Sequence, residues 1–253
     1  MPGAEFFEKL GLYVFRDFLS RGSCAQLRSE MLEAASSKGT IFTATCEIVD
    51  ETLRKGLRSH VSKSAERMFE SRLAQLKPEI EKHFQTSLTG FEGPNFLRYR
   101  TGDFLKVHLD VEHNSLPQIL KRRVSVIVFL NTPAENSRAR EGYRGGALTF
   151  YGLMRGPEWE KCGFSLDASC GMLIAFRPDI PHEVSPITFG ERFTISGWYT
   201  GEPILESSGA GNRAAQSKGR APVRKRDGAA KTNRRATVSH ADYLIETADL
   251  KRN

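Results

Sequence analysis

The stretch GMLIAFRPDIPHEVSPITFGERFTISGWY, residues 171–199, carries the reading that decides the fold. It opens on the apolar run GMLIAF, residues 171–176, which reads as a buried strand. The turn-rich RPDIP then delivers His182 just beyond that strand. The stretch closes on GERFTISGWY, where polar and apolar residues alternate and aromatics end the run, the pattern of a half-buried strand. Upstream, His108 and Asp110 stand two positions apart. In a strand, successive side chains point to opposite faces, so His108 and Asp110 share one face and Leu109 takes the other. Two imidazoles and one carboxylate are the protein ligands of a mononuclear non-haem iron(II) centre that keeps one face of the metal open. A His-x-Asp pair by itself is common on surfaces and in loops. His182, arriving from a distant strand of the same barrel, is the expected third ligand.

Arg192 lies ten positions after His182, inside the alternating segment. An Arg on the inward face of such a strand is costly unless it meets an anion. A guanidinium meets a carboxylate through two parallel hydrogen bonds, which Lys cannot do. A dicarboxylate such as 2-oxoglutarate supplies that partner, its oxalyl end on the metal and its distal carboxylate on Arg192. Thr194 shares the face of Arg192 by the period of two and is placed to donate a second hydrogen bond.

At this point the run FLRYRTGDFLKVHLD, residues 96–110, resembles the prolyl 4-hydroxylase-like branch of the iron(II)/2-oxoglutarate dioxygenases. The residues that carry the likeness are Arg98, Tyr99, Gly102, His108 and Asp110. RRVSVIVFLNTP is similar to the strand before the family's substrate loop, and YRGGALTFYG to its Gly-Gly-x-x-x-Phe hairpin, with Gly145, Gly146 and Phe150. Gly171, Phe176, His182, Val184, Pro186, Gly190, Arg192 and Trp198 fit its final portion, and YVFRDFLSRGSCAQLRSEM its first strand and helix. The resemblance spans most of residues 12–200. It implies an α+β protein with a double-stranded β-helix (jelly-roll) core and supporting N-terminal helices. It also implies an oxidoreductase that uses Fe(2+), O2 and 2-oxoglutarate as cosubstrate, with L-ascorbate as reductant. Such an enzyme hydroxylates an unactivated C–H bond as 2-oxoglutarate is decarboxylated to succinate and CO2. The substrate is a protein side chain, prolyl-like, or a free amino acid or small metabolite. Tyr99 is placed by the resemblance to hydrogen-bond the cosubstrate, with a core tyrosine as the competing reading; Arg100, Arg144 and Trp198 are candidate substrate contacts. Animal collagen-modifying members carry Lys where this chain has Arg192, which argues against a collagen-type substrate. The DNA-dealkylating branch has a second Arg six residues after the first, and here that residue is Trp198.

The chain has 253 residues, 39% of them hydrophobic, enough for one sizeable core. No stretch approaches the roughly 20 apolar residues of a membrane-spanning helix. The N-terminus shows no basic segment leading into an apolar one, so no secretory signal is expected. Cys24, Cys46, Cys162 and Cys170 form no CxxC pair, and free buried thiols and a cytoplasmic setting are expected. Residues 213–253 hold eleven Lys or Arg against four Asp or Glu, which accounts for the whole formal charge of +7. Residues 1–212 balance at 26 against 26. Residues 203–253 therefore read as a basic, disordered tail with a short helix near 239–250. The segment 213–235 is either a solvated linker or an arm for a polyanion, and it lacks the interleaved aromatics that stack bases.

Residues 1–202 read as the dioxygenase domain, with helices mainly in 1–90 and the jelly-roll over about 91–202. A strand is expected near 12–16, a helix from Ser23 to Ser36, and a strand over IFTATCEIV, residues 41–49. SAERMFESRLAQL places Ala65, Met68, Phe69, Leu73 and Leu76 on one helical face, and Pro78 is expected to break or restart that helix. His113 reads as a loop histidine rather than a fourth ligand. Arg138, Arg140, Arg144 and Trp159 sit in long polar loops and are solvated by default. Two other classes compete. A cupin-like metalloprotein would carry an HxH pair, and residue 110 is Asp. A non-catalytic protein acting through its basic tail would not need the triad or Arg192.

Overall fold

Strands from position 90 onward build most of two antiparallel sheets, and four short strands from before it, which the sequence reading did not assign to the jelly-roll, complete them. The computed structural model describes residues 3–43, 46–134, 142–154, 156, 159 and 161–202. In chain order the elements begin with α1 (Ala4–Lys9), β1 (Tyr13–Phe15), α2 (Arg21–Glu33), β2 (Ser36–Lys38), β3 (Ile41–Phe42) and β4 (Glu47–Ile48). Next come β5 (Arg54–Lys55), β6 (Leu57–Ser59), α3 (Lys63–Phe84), β7 (Gly90–Arg100), β8 (Phe104–His108) and β9 (Arg122–Phe129). The last are β10 (Tyr143–Gly145), β11 (Leu148–Phe150), β12 (Phe164–Ser165), β13 (Leu173–Phe176), β14 (His182–Val184) and β15 (Ile187–Thr200).

Among the described residues the larger sheet has eight strands, ordered β1-β13-β9-β15-β7-β6-β2, with β10 pairing onto β15. The facing sheet has five, ordered β12-β11-β14-β8-β5. This is the jelly-roll that the resemblance implied. Packing of these two sheets face to face buries the inner faces of both. The central strand β15 shows the period of two plainly. Phe193, Ile195 and Tyr199 join the core that holds Leu27, Met31, Phe69, Leu73 and Ile80 of the helices. Arg192, Thr194, Ser196 and Trp198 line a cavity between the sheets.

Ser20 and Ser62 cap α2 and α3, their hydroxyls accepting from the backbone N–H of Ser23 and Ala65 at 3.0 and 3.2 Å. The Ser20 cap moves the start of α2 to Arg21, two residues before the expected one. The expected break at Pro78 does not occur: α3 runs through it. Proline in a helix interior forfeits one backbone bond and costs about 3 kcal/mol. Pro78 and Ala74, whose carbonyl loses that bond, are both exposed, so water can satisfy the carbonyl. Ala65, Phe69, Leu73, Leu76 and Ile80 form one buried stripe across the site, and Tyr199 Oη donates to Leu73 O at 2.8 Å. Burial of five such side chains outweighs one lost bond.

The single strand expected over 41–49 is instead a pair, β3 against β4, with Ile41 opposite Ile48 and Phe42 opposite Glu47. No disulfide joins the cysteines among the described residues. Only Cys24 is buried and Cys170 partly so, whereas Cys46 and Cys162 are exposed, contrary to the expectation of buried thiols. No helix among the described residues is long and apolar enough to cross a membrane. The basic segment 213–235 and the helix expected near 239–250 lie outside the described residues.

Candidate metal centre

His108 ends β8 and His182 begins β14, and the two are direct partners in the antiparallel pairing of those strands. Their rings stand 4.2 Å apart between centroids. Asp110 follows two residues past His108, its backbone N–H donating to Pro178 O at 2.9 Å. That bond ties the Asp110 turn to the loop leading into His182. Asp110 Oδ1 lies 3.6 Å from His108 Nε2, and Oδ2 lies 3.9 Å from His182 Nε2. One ligand atom from each of the three falls within 4.8 Å of the others. Among the described residues this is the cluster with the spacing to hold a metal ion.

The imidazoles are oriented by the backbone. His108 Nδ1 lies 3.0 Å from Lys106 O, and His182 Nδ1 lies 2.9 Å from Ile180 O. A carbonyl only accepts, so each Nδ1 carries the proton and each Nε2 presents its lone pair toward Asp110. Burial, with His108 beside it, pushes the His182 pKa down to about 4, so this ring is neutral across the physiological range. Phe176 and Phe150 pack against His182 with centroids 4.7 and 6.0 Å away. Burial alone would raise the Asp110 carboxyl, but attraction to His182 and His108 in their protonated forms, and to Arg122, holds it well below the usual carboxylate range. Ser125 Oγ donates to Asp110 Oδ2 at 2.6 Å, and Arg122 Nη1 to the Asp110 carbonyl at 3.1 Å.

Arg192 is 1% exposed. It stands on β15 opposite Tyr99 of β7, with its guanidinium carbon 5.5 Å from the Tyr99 ring centre and 5.1 Å from that of Phe129. Its Nη1 donates to Thr194 Oγ1 at 3.3 Å. Its Nε and Nη2 have no hydrogen-bond partner among the described residues. A buried charge with two orphaned donors is costly in isolation and calls for an anion. Asn131 brackets this residue, its amide donating to Glu191 O at 2.8 Å and accepting from Phe193 N at 3.0 Å. Gly146 makes room behind it: a Cβ there would stand 2.3 Å from Ile187 Cδ1 and 3.0 Å from Arg192 Cδ, and its φ is +62°.

His108, Asp110, His182, Tyr99, Arg192, Thr194 and Trp198 all line the same cavity. Thr194 shares the inward face of Arg192, as the period of two predicts, and there it accepts from Arg192 while its own hydroxyl proton stays free to donate. Arg100 and Arg144 are not among the lining residues. Arg100, one position out of phase with Tyr99, is exposed and lies 3.7 Å from Asp103. Arg144 is exposed with its guanidinium carbon 5.0 Å from the Phe189 ring centre. His113 is exposed, apart from the triad. Trp159 is 41% exposed, and Arg138 and Arg140 lie outside the described residues. Ser125 and Arg122 were missed by sequence reasoning. Their signal was present: a Ser and an Arg inside the apolar run RRVSVIVF must find partners when buried. Arg54 also lines the cavity, and nothing in the short ETLRKG segment announces it.

Residues 94–200 match the sequence profile of the 2OG-Fe(II) oxygenase superfamily. Comparison with curated proteins finds no match. Among solved structures, a Pseudomonas putida prolyl-4-hydroxylase superposes with a TM-score of 0.57 at 22% identity, over 78% of this chain and 97% of that one. A prolyl hydroxylase from Trichoplax adhaerens, solved with a hypoxia inducible factor oxygen degradation domain peptide fragment, gives 0.57 at 19% identity, over 78% and 86%. An oxidoreductase of the 2OG-Fe(II) oxygenase family from Burkholderia pseudomallei gives 0.52 at 15% identity, over 79% and 91%. At these identities the likeness concerns the fold.

Proposed function

We infer that this protein, whose residues 94–200 belong to the 2OG-Fe(II) oxygenase superfamily, hydroxylates an unactivated C–H bond of its substrate while 2-oxoglutarate is converted to succinate and CO2. The observation that carries the reading is Arg192: a buried guanidinium with two orphaned donors in the same cavity as a His-Asp-His triad. The residues fit the group the family implies. His108, Asp110 and His182 would hold iron(II) through two neutral nitrogens and one ionised oxygen. Bound there, iron(II) with 2-oxoglutarate and O2 supplies the two-electron oxidation of the C–H bond.

The chain's own part is binding, orientation and exclusion of water. Lys106 and Ile180 carbonyls fix the tautomers, so no proton has to leave the histidines when a metal arrives. Arg192 fixes the distal carboxylate of 2-oxoglutarate, with Thr194 Oγ1 and the Tyr99 ring beside it. Leu105, Val126, Ile127 and Val184 form an apolar wall that keeps the reacting centre dry. The substrate class is a prolyl-like residue of a protein, the kind named for two of the structural neighbours, or a free amino acid.

The test is direct. Purified protein with iron(II), 2-oxoglutarate and O2 is followed for succinate, and candidate peptides and amino acids are searched by mass spectrometry for one added oxygen. Succinate release that needs iron and is stimulated by one substrate supports the reading. No iron-dependent succinate under any condition overturns it.

A further inference from the structure

The cavity holds orphaned donors beyond the two that Arg192 offers the distal carboxylate of 2-oxoglutarate. Among the described residues, the buried side-chain nitrogens and oxygens without a partner are Arg54 Nε, Arg192 Nε and Nη2, and Trp198 Nε1. All are donors, and the three residues that carry them line this cavity. The cosubstrate accounts for Arg192. Arg54 and Trp198 remain.

These two reach the cavity from opposite sheets. Arg54 lies on β5, paired with Leu105 of the strand that carries His108. Trp198 lies on β15, on the same face as Arg192. Both are held before any ligand arrives. Arg54 Nη1 donates to Thr40 O at 2.9 Å, and its Nε packs against Gly39. The Trp198 ring lies 3.6 Å from the guanidinium carbon of Arg122. Arg122 is itself fixed by Glu92, through two hydrogen bonds, and by the Asp110 carbonyl. Arg54 forms no salt bridge among the described residues, and the one carboxylate lining the cavity is Asp110, committed to Ser125 and the triad. A partly buried guanidinium without a counter-charge calls for an anionic acceptor, and an indole N–H for an acceptor of any charge.

The geometry points to a carboxylate subsite formed by Arg54 and Trp198 beside the metal triad, and so to a carboxylate-bearing substrate. The carboxylate belongs to a free amino acid or to a peptide, at its C-terminus or on an acidic side chain. This rests on the proposed function and narrows its substrate class.

The experiment is titration calorimetry without O2, on the full chain loaded with iron(II) and saturating 2-oxoglutarate, so that Arg192 is already occupied. The probes are matched pairs: L-proline and L-prolinamide, acetyl-Ala-Pro as acid and as amide, acetyl-Pro-Asp-amide and acetyl-Pro-Asn-amide. In at least one pair the carboxylate should bind about 10–100-fold more tightly, the span of a charge-assisted contact. The pair that discriminates identifies the source of the carboxylate. Arg54→Met should erase the preference, and Trp198→Phe should reduce it, with the loss falling on the probe and not on 2-oxoglutarate. Equal binding of acid and amide in every pair, or a preference that survives Arg54→Met, overturns the subsite. Because the comparison within each pair uses the unmutated protein, it stands even where a variant folds poorly. Failure of the unmutated protein to bind 2-oxoglutarate would overturn the underlying reading, and the subsite with it.

Discussion

Ser125 donates a 2.6 Å hydrogen bond to the Oδ2 of Asp110, from a strand whose other residues from Val124 to Phe129 are apolar. The hydroxyl fixes which way the carboxylate faces, and it leaves Oδ1 toward His108. Removing an outer partner of a metal ligand commonly costs about 10–100-fold in affinity or activity. Ser125→Ala should therefore weaken iron(II) binding by about that factor while the fold persists. Competition titration against a chelator of known affinity measures it, and unchanged affinity would show the bond to be incidental.

A ligand itself should cost more than its support. In His182→Ala, iron-dependent succinate formation should disappear, because the ring that closes the triad is also the one buried against Phe176. The wild-type protein should lose the same activity on chelation and recover it on return of iron(II). Wild-type turnover in the variant would remove His182 from the ligand set.

Arg192→Ala should weaken 2-oxoglutarate binding by about 10–100-fold, the loss of a charge-assisted contact worth roughly 1.5–3 kcal/mol. Iron(II) binding should survive, since Arg192 touches none of the triad. Calorimetric titration separates the two. The exposed His113→Ala serves as control, and a cosubstrate affinity that follows His113 rather than Arg192 would discard the assignment.

Gly146→Ala tests the packing behind Arg192. The added methyl would lie 2.3 Å from Ile187 Cδ1, at a backbone φ of +62°. Overpacking of this kind costs about 1–3 kcal/mol. Urea denaturation should show a loss in that range, together with weaker 2-oxoglutarate binding as Arg192 shifts. A variant as stable as the parent would mean that the hairpin yields freely.

Deleting residues 203–253 should leave iron-dependent succinate release nearly intact, because β15 ends at Thr200 and every proposed ligand precedes it. Comparison of full-length and shortened protein for thermal stability and turnover decides this. Collapse of either would place part of that segment in the domain.

The sequence made the triad and Arg192 legible because chemistry restricts their residue types and strand periodicity restricts their spacing. Thr194 was legible for the same reason, two places along one strand. Pro78 misled because its cost is local, about one backbone bond, whereas the burial that outweighs it is spread over a 22-residue helix. The hairpin of β3 and β4 was read as one strand because apolar residues at 41, 42, 48 and 49 look continuous when the turn between them lacks Gly or Pro. Arg100 was a candidate substrate contact, and strand alternation turns it outward next to the inward Tyr99. Arg54 could not be read at all, since its position depends on a pairing between β5 and β8 that no local pattern encodes.

The pairing of His108 with His182 has a mechanical consequence. The two residues lie at the ends of a long intervening chain, on strands whose register slips between His182 and Val184. An ion gripped by both would act as a removable crosslink across that loop, much as a disulfide does, and would lend its binding energy to the pairing of β8 with β14. At a free metal concentration one hundred times the dissociation constant, that amounts to about 2.7 kcal/mol of added resistance to unfolding. Iron supply would then set the working lifetime of the folded chain as well as its activity.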